Sequence, residues 1–205
     1  MSLVDAIRSA ADRLAEQPAA FHWLRKLPEW NYGATKRRIA GVRDALAPAR
    51  VLDCGCGTGE FASLFDPARY LGVDIHPGYV AFARRRRPRH RFEVADLCHW
   101  AGDGSAFDFV LVNGVLHHLD DAAALALLGT AVRQLAAGGT LLVIEDVSLP
   151  RAGLASRLVH GLDHGRHIRD AERWSELVSR VLPIVSSESY LSGWCPYHLM
   201  LCRAA

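Results

Sequence analysis

The chain has 205 residues, half of them hydrophobic and 22% charged, with a net charge of +2. Those proportions exclude a wholly disordered chain and fit one sizeable globular domain or two very small ones. The charge is too mild to imply a nucleic-acid partner by itself.

Residues 2–17 place Leu3, Val4, Ile7, Ala10, Ala11 and Leu14 at helical spacing and predict an amphipathic helix. Acids from Asp5 onward interrupt that stretch, so no secretory signal is expected. Apolar runs elsewhere are broken well before ~18 residues, so no membrane-spanning helix is expected. Five cysteines, an odd number without an export signal, read as reduced thiols of a cytoplasmic protein. Residues 18–33 are irregular and aromatic-rich, with Phe21, His22, Trp23, Trp30 and Tyr32. A second helix is predicted over 34–47, with Ile39, Ala40, Val42, Ala45 and Leu46 near one face.

A different rhythm follows. Strands are predicted at 50–53, 70–74, 91–94, 107–112 and 140–144. Helices are predicted after the first strand through Phe61 and Leu64, at 77–86, and at 120–136 with Gly138-Gly139 as its C-cap. Strands alternating with helices argue for a parallel sheet covered on both faces. A helical stretch near 168–181 precedes two strands, 183–190 and 197–202, spaced as an antiparallel hairpin.

The segment Val51-Leu52-Asp53-Cys54-Gly55-Cys56-Gly57-Thr58-Gly59-Glu60 is the most informative. A buried strand runs into three alternate glycines, which lets a ligand approach bare backbone. Dinucleotide binders prefer G-x-G-x-x-G around a pyrophosphate. Here the spacing is G-x-G-x-G, with an acid two residues before the first glycine. Asp53 would repel a pyrophosphate and suits a cationic amino group. Asp74, at the end of the second strand, suits the two hydroxyls of a ribose. Asp96, just past the third, suits an adenine amino group. A turn-capping role is the alternative for any one of them; three at successive strand ends argue for a shared ligand.

These stretches, with LGVDIHPGYVAFAR at 71–84, FEVADL at 92–97, FDFVLVNGVLHHLDD at 107–121 and LAAGGTLLVIEDV at 135–147, resemble the class I S-adenosylmethionine-dependent methyltransferases. The resemblance runs from about residue 34 to 147, plus the terminal hairpin. It implies a doubly wound, Rossmann-like α/β fold with seven strands, mostly parallel, ending in an antiparallel hairpin. It also implies S-adenosyl-L-methionine as cofactor, with contacts at Asp53, Gly55, Cys56, Gly57, Asp74, Ile75, Asp96 and Leu97. Asn113 is a candidate for the methionine part. Tyr32 and Lys36 or Arg37 are candidates to close over its carboxylate, a solvated helix face being the alternative for the basic pair.

The reactive crevice of an open α/β sheet lies outside the strand carboxyl ends, where the strand order reverses. That places Asn113 to His118, and Glu145-Asp146 after strand five, nearest the methyl group. A neutral hydroxyl acceptor needs a base. His117 and His118 have the right chemistry, with a structural role as the alternative for His117 and a capping role for Glu145. The segment after strand five carries His160, Asp163, His164, Arg166, His167 and Arg169. It is read as acceptor recognition or as a solvated helix, and His164 and His167 are further candidate bases. The basic run Arg84–Arg91 reads as a solvated loop rather than a phosphate contact. Cys54 and Cys56 lack a second pair at zinc spacing, so no metal is expected.

The expectation is a single domain over 1–205, with a helical cap at 1–45 and a helical insertion or lid at 148–182. The expected function is methyl transfer to a small-molecule acceptor, at a hydroxyl oxygen, by a cytoplasmic monomer or homodimer without nucleic-acid or membrane partners. The alternatives are an RNA or protein methyltransferase, and a protein that keeps the cofactor without methylating.

Overall fold

The computed structural model describes residues 26, 29–148 and 167–204. The helix expected at 2–17, the aromatic residues 21–23 and most of the segment after strand five, His164 included, lie outside the described residues.

Seven strands form one sheet in the order β3-β2-β1-β4-β5-β7-β6. They are β1 Val51–Cys54, β2 Tyr70–Asp74, β3 Arg91–Val94, β4 Phe107–Asn113, β5 Leu135–Asp146, β6 Ile184–Ser192 and β7 Cys195–Arg203. The pairings among β1 to β5 are parallel, and β7 runs antiparallel between β5 and β6. The expected seven-stranded sheet, parallel except for its terminal hairpin, is therefore present. Every residue of β1 and β2 is buried, as strands with both faces covered require.

Four helices cover the sheet among the described residues: α1 Gly33–Leu46, α2 Pro77–Arg86, α3 Asp121–Arg133 and α4 Ala171–Ser179. Three start where the sequence provides a cap. His76 accepts from the Tyr79 N–H, Asp120 from Ala123 and Asp170 from Arg173. Strand alternation divides the core in two. Val110 and Val112 pack with Leu52, Leu128 and Trp174 on one face, while Phe109 and Leu111 pack with Ile39, Phe61 and Tyr197 on the other. Each such buried side chain contributes about 1.5–3 kcal/mol of apolar burial.

One boundary departs from the expectation. Helix α3 ends at Arg133, and β5 begins at Leu135, so Gly138 and Gly139 lie inside a strand rather than at a helix C-cap. Leu135 already pairs with Phe107, and the register shifts between Phe107 and Phe109. A Cβ on Gly139 would meet the Ala136 carbonyl at 2.8 Å and the Phe107 carbonyl at 3.2 Å. The glycine is there because two backbones approach closely at an irregularity in the ladder. The terminal hairpin is also tighter than expected, with Gly193 and Trp194 alone between β6 and β7 and Gly193 at φ 61°.

The topology sets the site. The chain moves outward from β1 to β3, then returns to place β4 on the other side of β1. The crevice between the carboxyl ends of β1 and β4 is the switch point of the sheet.

Candidate active site

A cavity opens at that switch point. Asp53, Gly55, Cys56 and Thr58 line it from β1 and its loop, Asn113, Gly114 and His118 from the end of β4 and the loop after it, Tyr32 from the turn before α1, Thr35 from α1, and Tyr197 from β7. Its volume is about 100 Å³. Small-molecule sites usually span roughly 300–1,000 Å³. The cavity therefore has room for an amino-acid-sized end of a ligand.

Asp53 is 2% exposed and accepts the Tyr70 hydroxyl at 2.6 Å. Burial pushes its carboxyl up to about 7, the Tyr70 hydrogen bond opposes that rise, and the charge of Asp74 adds to it. A buried acid held this far above its ordinary range is poised to gain from a cation placed against it. Asn113 supplies a second acceptor, because its Oδ1 is buried with no hydrogen-bond partner in the described structure. A ligand ammonium between these two groups would satisfy both.

Asp74 Oδ2 accepts the Gly57 N–H and Oδ1 the His76 N–H, both at 2.8 Å. Burial raises its carboxyl, and those two backbone donors oppose the rise. The acid thereby ties the glycine loop to the end of β2, with lone pairs left for hydroxyl donors. Ile75, next to it in the chain, is 65% exposed. Asp96 accepts from His99 Nδ1 at 2.8 Å and from the Cys98 N–H at 2.9 Å, and the His99 bond leads in holding its carboxyl below the usual range. The Leu97 side chain is buried in the core, so only its backbone faces this edge. Gly55 sits at φ 75°, and a Cβ there would come within 2.7 Å of Val115 Cγ2. The absent side chain lets the β1 loop and the loop after β4 close on each other.

Tyr32 packs edge-on against Phe61, with ring centroids 5.4 Å apart. Lys36 forms an ion pair with Glu60, and Lys26 lies 3.2 Å from the same carboxylate. Lys36 thus reaches the cavity rim already paired with an acid. Partial burial pushes the Glu60 carboxyl up, but Lys36 and Lys26 outweigh it and hold the carboxyl below its usual range.

The two histidines after β4 part company. His117 is buried and His118 is exposed at the cavity, their ring centroids 4.1 Å apart. Glu145 is also buried. His167 is exposed, and its N–H donates to the His117 carbonyl at 3.0 Å, which brings it beside this loop.

The arginine run lies where α2 ends and β3 begins, at the amino edge of the strands, although Arg86 reaches Glu60 of the cavity lining at 3.7 Å. Arg84 donates twice to the Phe92 carbonyl, and Arg91 lies 3.6 Å from Asp103. All five cysteines are free thiols, and no group of residues able to hold a metal occurs among the described residues. No helix among them is long and apolar enough to cross a membrane.

Four contributors escaped sequence reasoning. Tyr70 reads only as the start of a strand, and Thr35 carries no signal of its own. Glu60 and Tyr197 carried no local signal, since their roles depend on which elements the sheet brings together.

A methyltransferase-domain family model matches residues 51–139. Trans-aconitate 2-methyltransferase of Methylobacterium nodulans is 42% identical over 101 residues, covering 47% of this chain and 38% of that protein. Demethylmenaquinone methyltransferase of Thermus thermophilus is 33% identical over 134 residues, covering 60% of each. The chain thus spans between a third and two thirds of the length of these relatives. Among solved structures, the N-methyltransferase NodS from Bradyrhizobium japonicum WM9, in complex with S-adenosyl-l-homocysteine, superposes with a TM-score of 0.71 at 20% identity. That superposition covers 94% of this chain and 97% of NodS, and it shows the shared fold. The matched domain and the strand order agree: residues 51–139 are similar to a methyltransferase domain, and the sheet has the fold of the methyltransferase structures it superposes on.

Proposed function

We propose that this chain transfers the methyl group of S-adenosyl-L-methionine to a small-molecule acceptor, with a hydroxyl oxygen as the expected target atom. The observation that carries the reading is the pairing of buried Asp53 with the partnerless buried Oδ1 of Asn113 at the switch-point cavity. When bound, the cofactor supplies an electrophilic methyl group on a positively charged sulfur. Asp53 and Asn113 hold the ammonium of its methionine part. Tyr32 and Lys36 close over the neighbouring carboxylate, Lys36 being shared with Glu60. Asp74 accepts the ribose hydroxyls, Ile75 covers the adenine, and the edge formed by Asp96 and Leu97 meets its amino group.

Transfer is an in-line displacement from a good leaving group, so the protein mainly positions the acceptor. His118 is the base this reading favours, because it is exposed at the cavity while His117 is buried. It takes the proton from the acceptor hydroxyl as the new bond forms. His167 stands next to the same loop as a second candidate; His164 lies outside the described residues. Two relatives named for trans-aconitate and demethylmenaquinone support a small acceptor. An RNA acceptor is less favoured, since Arg84, Arg86 and Arg91 of the arginine run are engaged within the chain. Calorimetry with S-adenosylhomocysteine tests the reading. Saturable one-to-one binding that Asp53→Asn abolishes is expected; no binding to the unaltered chain would overturn it.

A further inference from the structure

The loop after β4 is held from two sides, and the device that holds it is distinct from the groups facing the cavity. Beneath it, Glu145 at the end of β5 is fully buried. Its Oε1 accepts the N–H groups of Val115 at 2.9 Å and Leu116 at 2.8 Å. Its Oε2 accepts the His117 N–H at 3.3 Å and lies 2.8 Å from His117 Nδ1. One carboxylate thus gathers three successive backbone donors and the imidazole of the same loop. A fully buried charge persists only when so surrounded. Above the loop, the His167 N–H donates to the His117 carbonyl and Arg169 Nη2 to the Leu119 carbonyl, each at 3.0 Å. Arg169 is itself fixed by Asp121 at 2.6 Å and by the ring of Trp174, 4.5 Å from its guanidinium carbon. Asp121 also takes Arg173.

The geometry points to Glu145 as a positioning residue: acting through His117 and the backbone of 115–117, it fixes His118 at the cavity mouth. The inference rests on the proposed cofactor site and deepens it. It replaces the expectation that Glu145 or His117 is itself a base. Glu145 has no path to a ligand, because its oxygens face the underside of the loop. His117 turns its Nδ1 inward to Glu145, with Asp146 Oδ2 at 3.5 Å. His118 is left as the exposed ring of the pair, packed on the one that is anchored. The short connection at 114–120 does not by itself choose which of two adjacent histidines faces the cavity; the buried carboxylate makes that choice.

The test uses the full chain with labelled histidine rings, and S-adenosylhomocysteine as the probe. In the unaltered chain, saturation with the probe shifts the His118 ring resonance, and the amides of 115–117 exchange slowly. Glu145→Gln keeps the shape but puts an amide donor against those N–H groups. It is expected to speed their exchange by about 10- to 100-fold, the worth of hydrogen bonds to a charged group. It also abolishes the His118 response while Asp53 and Asp74 still bind the probe. His117→Asn retains a donor at the place of Nδ1 and is expected to keep both readouts; His117→Leu is expected to lose them. Unchanged amide exchange and an unchanged His118 response in Glu145→Gln would overturn the inference. So would an equal loss in His117→Asn and His117→Leu. Should the unaltered chain fail to bind the probe, the cofactor reading falls, while the amide exchange still decides whether Glu145 pins the loop.

Discussion

Asp53 offers a prediction in which stability and binding move in opposite directions. Its carboxyl is raised from 3.8 to about 7, mostly by burial. Between those two values the folded chain holds a proton that the unfolded chain has released. Stability contributed by this group therefore falls as pH rises through that window, and the full cost is present above about 7. The rise corresponds to about 4 kcal/mol at pH 8. Asp53→Asn removes the charge and keeps an oxygen to accept the Tyr70 hydroxyl. Part of the gain is lost because a hydrogen bond to a neutral amide is weaker than one to a carboxylate. A net stabilisation of about 2–3 kcal/mol is expected at pH 8, reversing to a net destabilisation of about 1–2 kcal/mol near pH 4, where the folded acid is protonated. Urea unfolding of both chains without ligand, followed between pH 4 and 8, measures it. A difference that is constant with pH, or a variant less stable at pH 8, would refute the assignment of a strained acid. The same variant is expected to lose S-adenosylhomocysteine binding, since an amide does not neutralise an ammonium.

The remaining predictions concern the same site. Affinity for S-adenosylhomocysteine should fall about tenfold per unit as pH drops below about 7, because Asp53 must then lose a proton to bind a cation; calorimetry across pH reads this slope. Asp74→Ala should weaken binding by about 100-fold, the loss of hydrogen bonds to a charged acceptor, and also loosen the Gly57 loop. Gly55→Ala should destabilise the chain by about 1–3 kcal/mol, because the new Cβ meets Val115 at 2.7 Å on a backbone at φ 75°; thermal unfolding checks it. His118→Ala should leave S-adenosylhomocysteine binding in place and slow transfer to a hydroxyl acceptor by about 10²–10⁴-fold, read once a labelled product is in hand.

The sheet and the placement of Asp53, Asp74 and Asp96 at its strand ends were legible because they depend on local chemistry. Apolar runs such as 107–112 and 70–74 have the length and flanks of buried strands, and the glycines after Asp53 mark a turn with backbone exposed to a ligand. The match of β1 to β5 follows from that alternation. Gly138-Gly139 misled because a glycine pair looks the same whether it ends a helix or relieves a close backbone approach. Only the pairing of Leu135 with Phe107 separates the two. The division of labour between His117 and His118 was not legible either. Adjacent residues in a short loop carry no periodicity, and the difference is set by Glu145, 28 residues away from His117. The Tyr70–Asp53 contact is hidden for the same reason, since it needs β1 and β2 side by side in register.

The most direct test of the account follows the methyl group itself. The chain is incubated with methyl-labelled S-adenosyl-L-methionine and, separately, the small-molecule, RNA and protein fractions of a cell extract. The account predicts label in the small-molecule fraction, lost in Asp53→Asn. Label confined to RNA or protein, or none in any fraction despite cofactor binding, would contradict it.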